Sequence, residues 1–520
     1  MPANLSANPQ ELAVARRHQV LYGLLVVGAV LRLTGLDAKC FWVDELHSLS
    51  VSHTFDQIMA YCRGGHTPPL RYLIVGALQP FPNAEFTVRL PAVVFGALTL
   101  PLMLWIGERL WNRQTGLVAA VLLLVSPWHL DHSQDARYYG LILFLALAAL
   151  ALAVEIVHEP RRLWRWIALA AACALNLYLS YVAVFSVMAT GGYLAWCAGM
   201  AWRRRAQERD RAAAFLRGAA VAALVGFLAL APWLTEMSGL FDRYIGAGGS
   251  KTVAASQESA PTDPASMQPR IAWQTPFDRA YADEFLADLG LQQPVVKWAL
   301  LAFFGVGLIG AVRRDRALGV LALLWFVFPW VVILNTGLRY FCPPRYLIHY
   351  LGLYLLFAAA GIMATWDRLR AAVVSRSDLS DGARIRRLAL HLAAIMIALA
   401  ALAAYVREDL RYYRTPKQDW RAVVHFLDKY AAPSDAVLTG GFWTPLGLLY
   451  YGSELSRPIN LYGSCTTAPR IEHALALNPR AWYVTWGPLP DDVAHVLARR
   501  FDAVGAFHGL NGVIQVYRSK

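Results

Sequence analysis

About eleven apolar stretches succeed one another along the chain, at 19–36, 90–107, 115–130, 139–157, 166–181, 183–199, 213–233, 296–312, 317–335, 345–365 and 388–406. Each is close to the roughly 20 residues a helix needs to cross a ~30 Å hydrocarbon core. A soluble fold has no interior large enough to hide them, so the pattern predicts an all-α polytopic membrane protein. Composition agrees, with 57% hydrophobic and only 16% charged residues, against roughly a quarter charged in soluble domains. The hairpin from Trp166 to Trp196 is the tightest pair of spans, leaving almost no room for a turn.

The net charge of +13 does not point to nucleic acid, because the basic residues punctuate the gaps between apolar runs and form no single solvated face. They cluster at Arg16/Arg17, Arg109/Arg113, Arg161/Arg162/Arg165, Arg203/Arg204/Arg205 with Arg209 and Arg211, Arg313/Arg314/Arg316, and Arg368 through Arg387. Under the positive-inside rule all six clusters are cytoplasmic. An eleven-span count with an inside N-terminus and an outside C-terminus satisfies them together. The first span is followed by Asp37 and Lys39 with no small-residue cleavage site, which reads as a retained anchor. A bacterial plasma membrane is the expected location.

The polar segments then fall outside: loops 37–87 and 235–294, turns at Asp131–Tyr138 and Gly337–Pro344, and the tail. The expected division is a transmembrane catalytic domain over 1–406 and an extracytoplasmic α/β domain over 407–520. In that tail DWRAVVHFLDKY has helical spacing, and AVLTGG and AWYVTWG read as short strands. The Gly/Ser/Pro-rich stretch from Gly246 to Pro269 cannot bury a core and reads as a mobile insert. The sequence has no repeat of 20–50 residues. Cys173 and Cys197 sit in apolar runs as inert residues, whereas Cys40, Cys62, Cys342 and Cys465 fall on the outer side, where disulfides are permitted. No CxxC spacing suggests a zinc or redox site.

Four outer clusters can carry chemistry. FWVDELHSLS places the adjacent carboxylates Asp44 and Glu45 just beyond the first span. Their desolvation is costly, which suits a base, a metal ligand or a cation partner; equally, Asp44 would suit the N-cap of a short interfacial helix. Neighbours on one helix point about 100° apart, so the two need not face one ligand. GGHTPPLRY brings His66 and Arg71 before an apolar stretch too short to span, which reads as a re-entrant or interfacial helix; the guanidinium fork of Arg71 suits a phosphate. SPWHLDHSQDARYYGL packs Asp135, Arg137 and Tyr138 into a turn, and GLRYFCPPRYLIHY sets Arg339, Arg345 and Tyr346 at the mouth of the tenth span. An aromatic interfacial belt and snorkelling arginines are the alternative readings of these two.

These residues, with the stretch RLPAVVFGALTLPLMLWIGERLW and its Arg89 and Pro91, stand in an order that resembles the GT-C membrane glycosyltransferases over roughly residues 15–450. The likeness is to bacterial relatives of dolichyl-phosphate-mannose-protein mannosyltransferase and of the lipid A aminoarabinose transferase. It implies transfer of a sugar from a polyprenyl-phosphate donor to a glycan, lipid or protein acceptor at the outer face. Asp44 takes the position of the carboxylate that acts as base or orients the acceptor, with Glu45 beside it. Arg71, Arg137, Arg339 and Arg345 are the cations for the donor phosphate, and His66, Asp135, Tyr138 and Tyr346 the further substrate contacts. Some relatives bind a divalent metal ion, for which Glu45 and His66 are the candidate ligands; the sequence itself requires none. The Gly246–Pro269 insert and a short tail depart from the relatives and leave the acceptor open.

Two other readings share the composition. A lipid-linked saccharide flippase or transporter would concentrate polar residues at the bilayer midplane, and here Asn176 and Glu155 are the main intrusions. A polymerase or ligase of the same fold would use a diphosphate-linked donor. With no Walker-A loop or Rossmann glycine fingerprint in the chain, nothing in it suggests an ATP-driven pump.

Overall fold

The computed structural model describes residues 9–65, 67–203, 205–244, 279–290, 294–335, 343–374, 402–441, 443–455, 458–487 and 489–520, together with residues 389 and 400. The insert at Gly246–Pro269, His66, Arg339, Cys342 and most of the 388–406 run lie outside them. The described residues divide into two compact units. Unit 1 comprises residues 1–34, 62–70 and 91–409; unit 2 comprises 35–61, 71–90 and 410–520. The outer loop that sequence assigns to the membrane domain is therefore shared, with most of it grouped with the tail.

The remaining ten apolar runs all fold as helix. Seven are long and apolar enough to cross a membrane: Ala84–Leu110 (α5), Tyr139–His158 (α8), Tyr181–Arg203, Arg209–Leu234, Pro294–Arg314 (α13), Arg316–Asn335 (α14) and His349–Ala371. His18–Leu33, Arg113–Leu124 and Leu163–Leu179 are shorter apolar helices. They belong, in chain order, to α1 (Pro9–Leu33), α6 (Arg113–Leu124) and α9 (Leu163–Leu179). The tight hairpin is resolved by Ser180, in extended backbone, and a single 3₁₀ turn at Tyr181–Ala183 before α10 (Val184–Arg203). Polar residues start two of these helices: Asn112 caps α6 by accepting from Thr115 N–H at 2.9 Å, and Asp315 caps α14 by accepting from Ala317 N–H at 2.8 Å.

Helices in lipid cannot use the hydrophobic effect to find one another, so close backbone approach matters. In unit 1, α13 crosses α15 (His349–Val374) at Gly307 and Gly361: a Cβ on Gly307 would lie 1.9 Å from Phe357 O, and one on Gly361 1.9 Å from Phe303 O. Gly305, one turn-face away, would meet nothing within 4 Å. Gly307→Ala is therefore expected to lower the apparent unfolding midpoint in detergent by several degrees, with Gly305→Ala as the neutral control; equal midpoints would show that the crossing does not hold the bundle. Large apolar side chains such as Val26, Leu224, Phe227, Leu228 and Ile309 are exposed on these helices, as a lipid-facing surface requires.

The two polar intrusions of the spans each find a partner, though Asn176 Oδ1 is buried without a hydrogen bond. Asn176 donates to Ile142 O at 3.3 Å, and Glu155 pairs with Arg109 and Arg165, each at 3.0 Å. The C-terminal end of α1 is tied by Arg32, fully buried, which donates to Gly28 O and to His129 Nδ1 at 2.8 Å, while Gln134 donates to Arg32 O and Thr34 O. Asp409, three residues beyond the 388–406 run, is buried; burial pushes its carboxyl up to about 7 against the pull of Arg32, with Glu408 adding to the rise. A carboxyl raised in the folded state holds a proton there that the unfolded chain has lost. Stability from this group accordingly falls as pH climbs from 3.8 to about 7 and is flat above. Asp409→Asn should remove that slope, read as unfolding midpoints at about pH 5 and about pH 8; an unchanged slope would discharge Asp409 of the effect.

Unit 2 carries a five-stranded sheet of order β2-β1-β3-β5-β4, from β1 (Ala436–Gly440), β2 (Leu461–Ser464), β3 (Ala481–Trp486), β4 (Phe501–Gly509) and β5 (Gly512–Ser519). β2, β1 and β3 are parallel, and β3, β5 and β4 antiparallel. The two strands expected from sequence are β1 and β3, buried along their length, and the expected helix is α16 (Trp420–Tyr430). β4 and β5 alternate more weakly and form a hairpin closed by Gly512 at φ +112. α17 (Thr444–Gly452), α18 (Ala468–Leu477) and α19 (Asp491–Arg500) complete this α/β part, and Ile471, Val493 and Leu497 join Leu438, Tyr483 and Phe501 in its core. Among the described residues Cys40 and Cys465 are buried free thiols.

Candidate active site

Asp44 and Glu45 open α2 (Val43–Val51), whose N-cap is Trp42 and whose first turn they occupy. Asp44 is therefore not the cap. Glu45, at the third helical position, accepts from Trp42 N–H at 3.2 Å and so ties down one of the end's orphan donors. From there the two carboxylates part company, as residues about 100° apart must.

Glu45 is fully buried and bound by Arg89 of α5: Nε donates to Oε1 at 2.8 Å and Nη2 to Oε2 at 2.7 Å. The same guanidinium donates to Leu36 O at 2.8 Å, Lys39 O at 2.9 Å and Cys40 O at 3.1 Å. All three of its nitrogens are thus engaged, and the segment leading into α2 is pinned to them. Both oxygens of Glu45 are taken by one guanidinium, and its charge is already compensated. Among the described residues no group of three His, Cys, Asp or Glu side chains is placed to hold a metal.

Asp44 is half-buried and its backbone carbonyl accepts from Ser48 Oγ at 3.0 Å. The rest of unit 2 holds the segment before it. Tyr451 Oη accepts from Phe41 N–H at 2.6 Å, Gln418 Oε1 accepts from Val43 N–H at 2.9 Å, and Lys39 donates to Tyr412 O. Tyr451 in turn donates to Glu85 at 3.2 Å, which also pairs with Arg421. Burial holds the Tyr451 hydroxyl far above its ordinary pKa, so it stays a neutral donor. None of these tail residues has a local signature, since they act across 336 to 410 positions.

Arg71, in the nine-residue α4 (Leu70–Leu78), lies in the same unit. It donates to Tyr72 Oη at 2.6 Å and stacks over that ring at 4.5 Å, while its Nε is buried without a partner. A partly desolvated guanidinium with a spare donor is suited to an anion.

The other expected residues gather in unit 1, between α7 (Pro127–His132) and α8. Asp135 is buried, accepts from Arg137 N–H at 2.9 Å and lies 4.0 Å from His132. Arg137 is buried as well. Tyr138 is fully buried in the left-handed region at φ 59, an unusual conformation for a non-glycine that surrounding structure must enforce. Tyr139 and Tyr346 approach with ring centroids 6.2 Å apart, and Arg345 lies 5.8 Å over the Tyr346 ring. The turn and the mouth of α15 are thus one aromatic and cationic cluster. His66 and Arg339, expected beside these groups, lie outside the described residues.

Residues 65–234 match the family model described as dolichyl-phosphate-mannose-protein mannosyltransferase. In three dimensions the chain is similar to ArnT from Cupriavidus metallidurans bound to undecaprenyl phosphate, with a TM-score of 0.51 and 13% identity over 95% of this chain and 97% of that one. The apo state of that protein matches with a TM-score of 0.52 and 12% identity over the same shares. The oligosaccharyltransferase AglB from Archaeoglobus fulgidus, in complex with an inhibitory peptide and a dolichol-phosphate, gives 0.50 and 12% over 90% of this chain and 69% of that one. At such identities the likeness to these structures is one of fold. No curated protein matches the sequence. The chain thus shares the fold of ArnT and AglB and, over residues 65–234, is similar to the dolichyl-phosphate-mannose-protein mannosyltransferase family; it is a mostly helical integral membrane protein with a small C-terminal α/β domain.

Proposed function

We propose that the chain moves a sugar from a polyprenyl-monophosphate carrier to an acceptor hydroxyl at the outer face of a bacterial plasma membrane, with its N-terminus inside. The observation that carries this reading is the asymmetry of the carboxylate pair: Glu45 is consumed by Arg89, and Asp44 is left half-buried on the helix that Arg89 holds in place. Asp44 takes the acceptor proton as the acceptor oxygen bonds to the anomeric carbon. The bond from that carbon to the phosphate oxygen breaks, and the carrier leaves as a phosphomonoester needing cations, for which Arg71, Arg137, Arg339 and Arg345 are the candidates. Asp135, Tyr138, Tyr346 and His66 are the further candidate substrate contacts. The ArnT structure with undecaprenyl phosphate and the AglB structure with dolichol-phosphate support a lipid-phosphate donor.

The test is transfer by the purified protein in liposomes carrying radiolabelled polyprenyl-phosphate sugars, with a crude envelope extract as acceptor. Label leaving the monophosphate carrier for the extract is the expected result. Label leaving only a diphosphate-linked donor would assign the chain to the polymerase or ligase class, and label crossing the bilayer still on its carrier would make it a transporter. The ion pairs of Glu155 with Arg109 and Arg165 speak against the last.

A further inference from the structure

The face of α2 that bears Asp44 also bears His47, one turn on, and His47 stands between two aromatic rings of unit 2. Trp443, just ahead of α17, approaches it edge-on with ring centroids 4.4 Å apart. On its other side Tyr61 of α3 (Phe55–Gly65) lies at 5.4 Å and shares a hydrogen bond of 2.8 Å between its hydroxyl and His47 Nε2. Tyr61 continues the ladder to Tyr72 at 5.3 Å, and Tyr72 to the Arg71 guanidinium. His47, Tyr61 and Trp443 each keep part of their surface exposed, whereas Tyr72 is buried.

This ladder has two chemically different ends. At the Arg71 end a cation with a spare donor suits a phosphate. At the Trp443 end, rings with polar edges and apolar faces meet next to a carboxylate, and that combination is the complement of a pyranose, whose axial C–H groups give it an apolar face and whose hydroxyls need directed partners. An interior packing role alone would not require two rings that remain partly exposed around a partly exposed imidazole. The ladder holds the two ends three ring contacts apart, so the group taken at Trp443 is distinct from the donor phosphate.

We infer that Trp443, His47 and Tyr61 form a saccharide subsite that seats the acceptor's terminal hexose, with Trp443 as the stacking platform and the acceptor hydroxyl turned toward Asp44. The acceptor is then a glycan or glycolipid, and a peptide is disfavoured. This rests on the transferase reading for its role, though the binding itself needs no donor.

The experiment uses saturation-transfer NMR on the full-length protein in nanodiscs, with methyl α-mannoside, methyl β-glucoside and methyl β-galactoside as probes. At least one probe should show saturation concentrated on one C–H face. Binding should fall about tenfold in Trp443→Ala, the scale of one ring stack removed, and be retained in Trp443→Phe. If Trp443→Ala does not fold, Trp443→Leu, which keeps apolar volume without a ring, replaces it. No saturation in wild type, or equal saturation in the ring-less variants, overturns the subsite. Where transfer is active, the acceptor KM should rise with kcat and donor KM little changed. Transfer with an unmoved acceptor KM would discard the subsite and keep the transferase; Trp443-dependent sugar binding with no transfer from any lipid-phosphate sugar would do the reverse.

Discussion

Asp44→Asn should reduce transfer by about three orders of magnitude, within the usual contribution of a positioned general base, while leaving membrane insertion and the unfolding midpoint where they are. Asn has the shape of Asp and can keep its hydrogen bonds, but it cannot take a proton. Asp44 is half-buried in the first turn of α2, and its neighbour Glu45 carries the structural bond to Arg89, so the substitution removes charge without removing the anchor. The measurement is the single-turnover rate in liposomes, paired with a thermal midpoint for each protein. A variant that transfers at the wild-type rate would take Asp44 out of the chemistry.

The second large effect concerns stability. Arg89→Ala leaves Glu45 fully buried without its guanidinium counter-ion, and frees the carbonyls of Leu36, Lys39 and Cys40 at once. Breaking a buried pair by deleting one partner typically costs about 3–5 kcal/mol. Most of that cost is the uncompensated charge, so Glu45→Gln, which leaves the buried guanidinium without its counter-ion, should cost a similar amount, and a double replacement by Met at 45 and 89, which leaves no charge, should lose less. Arg89→Lys should fall between wild type and the alanine variant, because an ammonium keeps the counter-charge but cannot reproduce a two-point bond and three carbonyl contacts together. Whatever fraction of these proteins folds should transfer poorly, since the segment that presents Asp44 is no longer held. Unfolding midpoints and the yield of folded protein in detergent check the order; an alanine variant as stable as wild type would show that the pair is incidental.

Asp44 and Glu45 respond to these tests in opposite ways, one in rate and one in stability. That division was not visible in the letters D and E side by side. Helical geometry alone says that adjacent residues diverge, but which of them turns inward depends on Arg89, 44 positions away from Glu45.

What the sequence by itself determined is what local composition controls. Runs of about twenty apolar residues can only be satisfied as helices in lipid, and the runs among the described residues are helical. Buried strands such as Ala436–Gly440 and the amphipathic Trp420–Tyr430 helix follow from their periodicity, and Asp44, Arg71, Asp135 and Arg137 were singled out because polar groups beside apolar spans are costly to keep. The tertiary structure decided the rest. It made Glu45 an anchor and Trp42 the cap, set Gly307 against Gly361, and brought Gln418, Tyr451 and Trp443 to a helix some 375 to 410 residues earlier in the chain. Contacts of that range leave no periodic trace, because a hydrogen bond to a distant partner places no demand on the residues beside it. Only the closed arrangement of the chain, in which each buried donor must find an acceptor, fixes which residues meet.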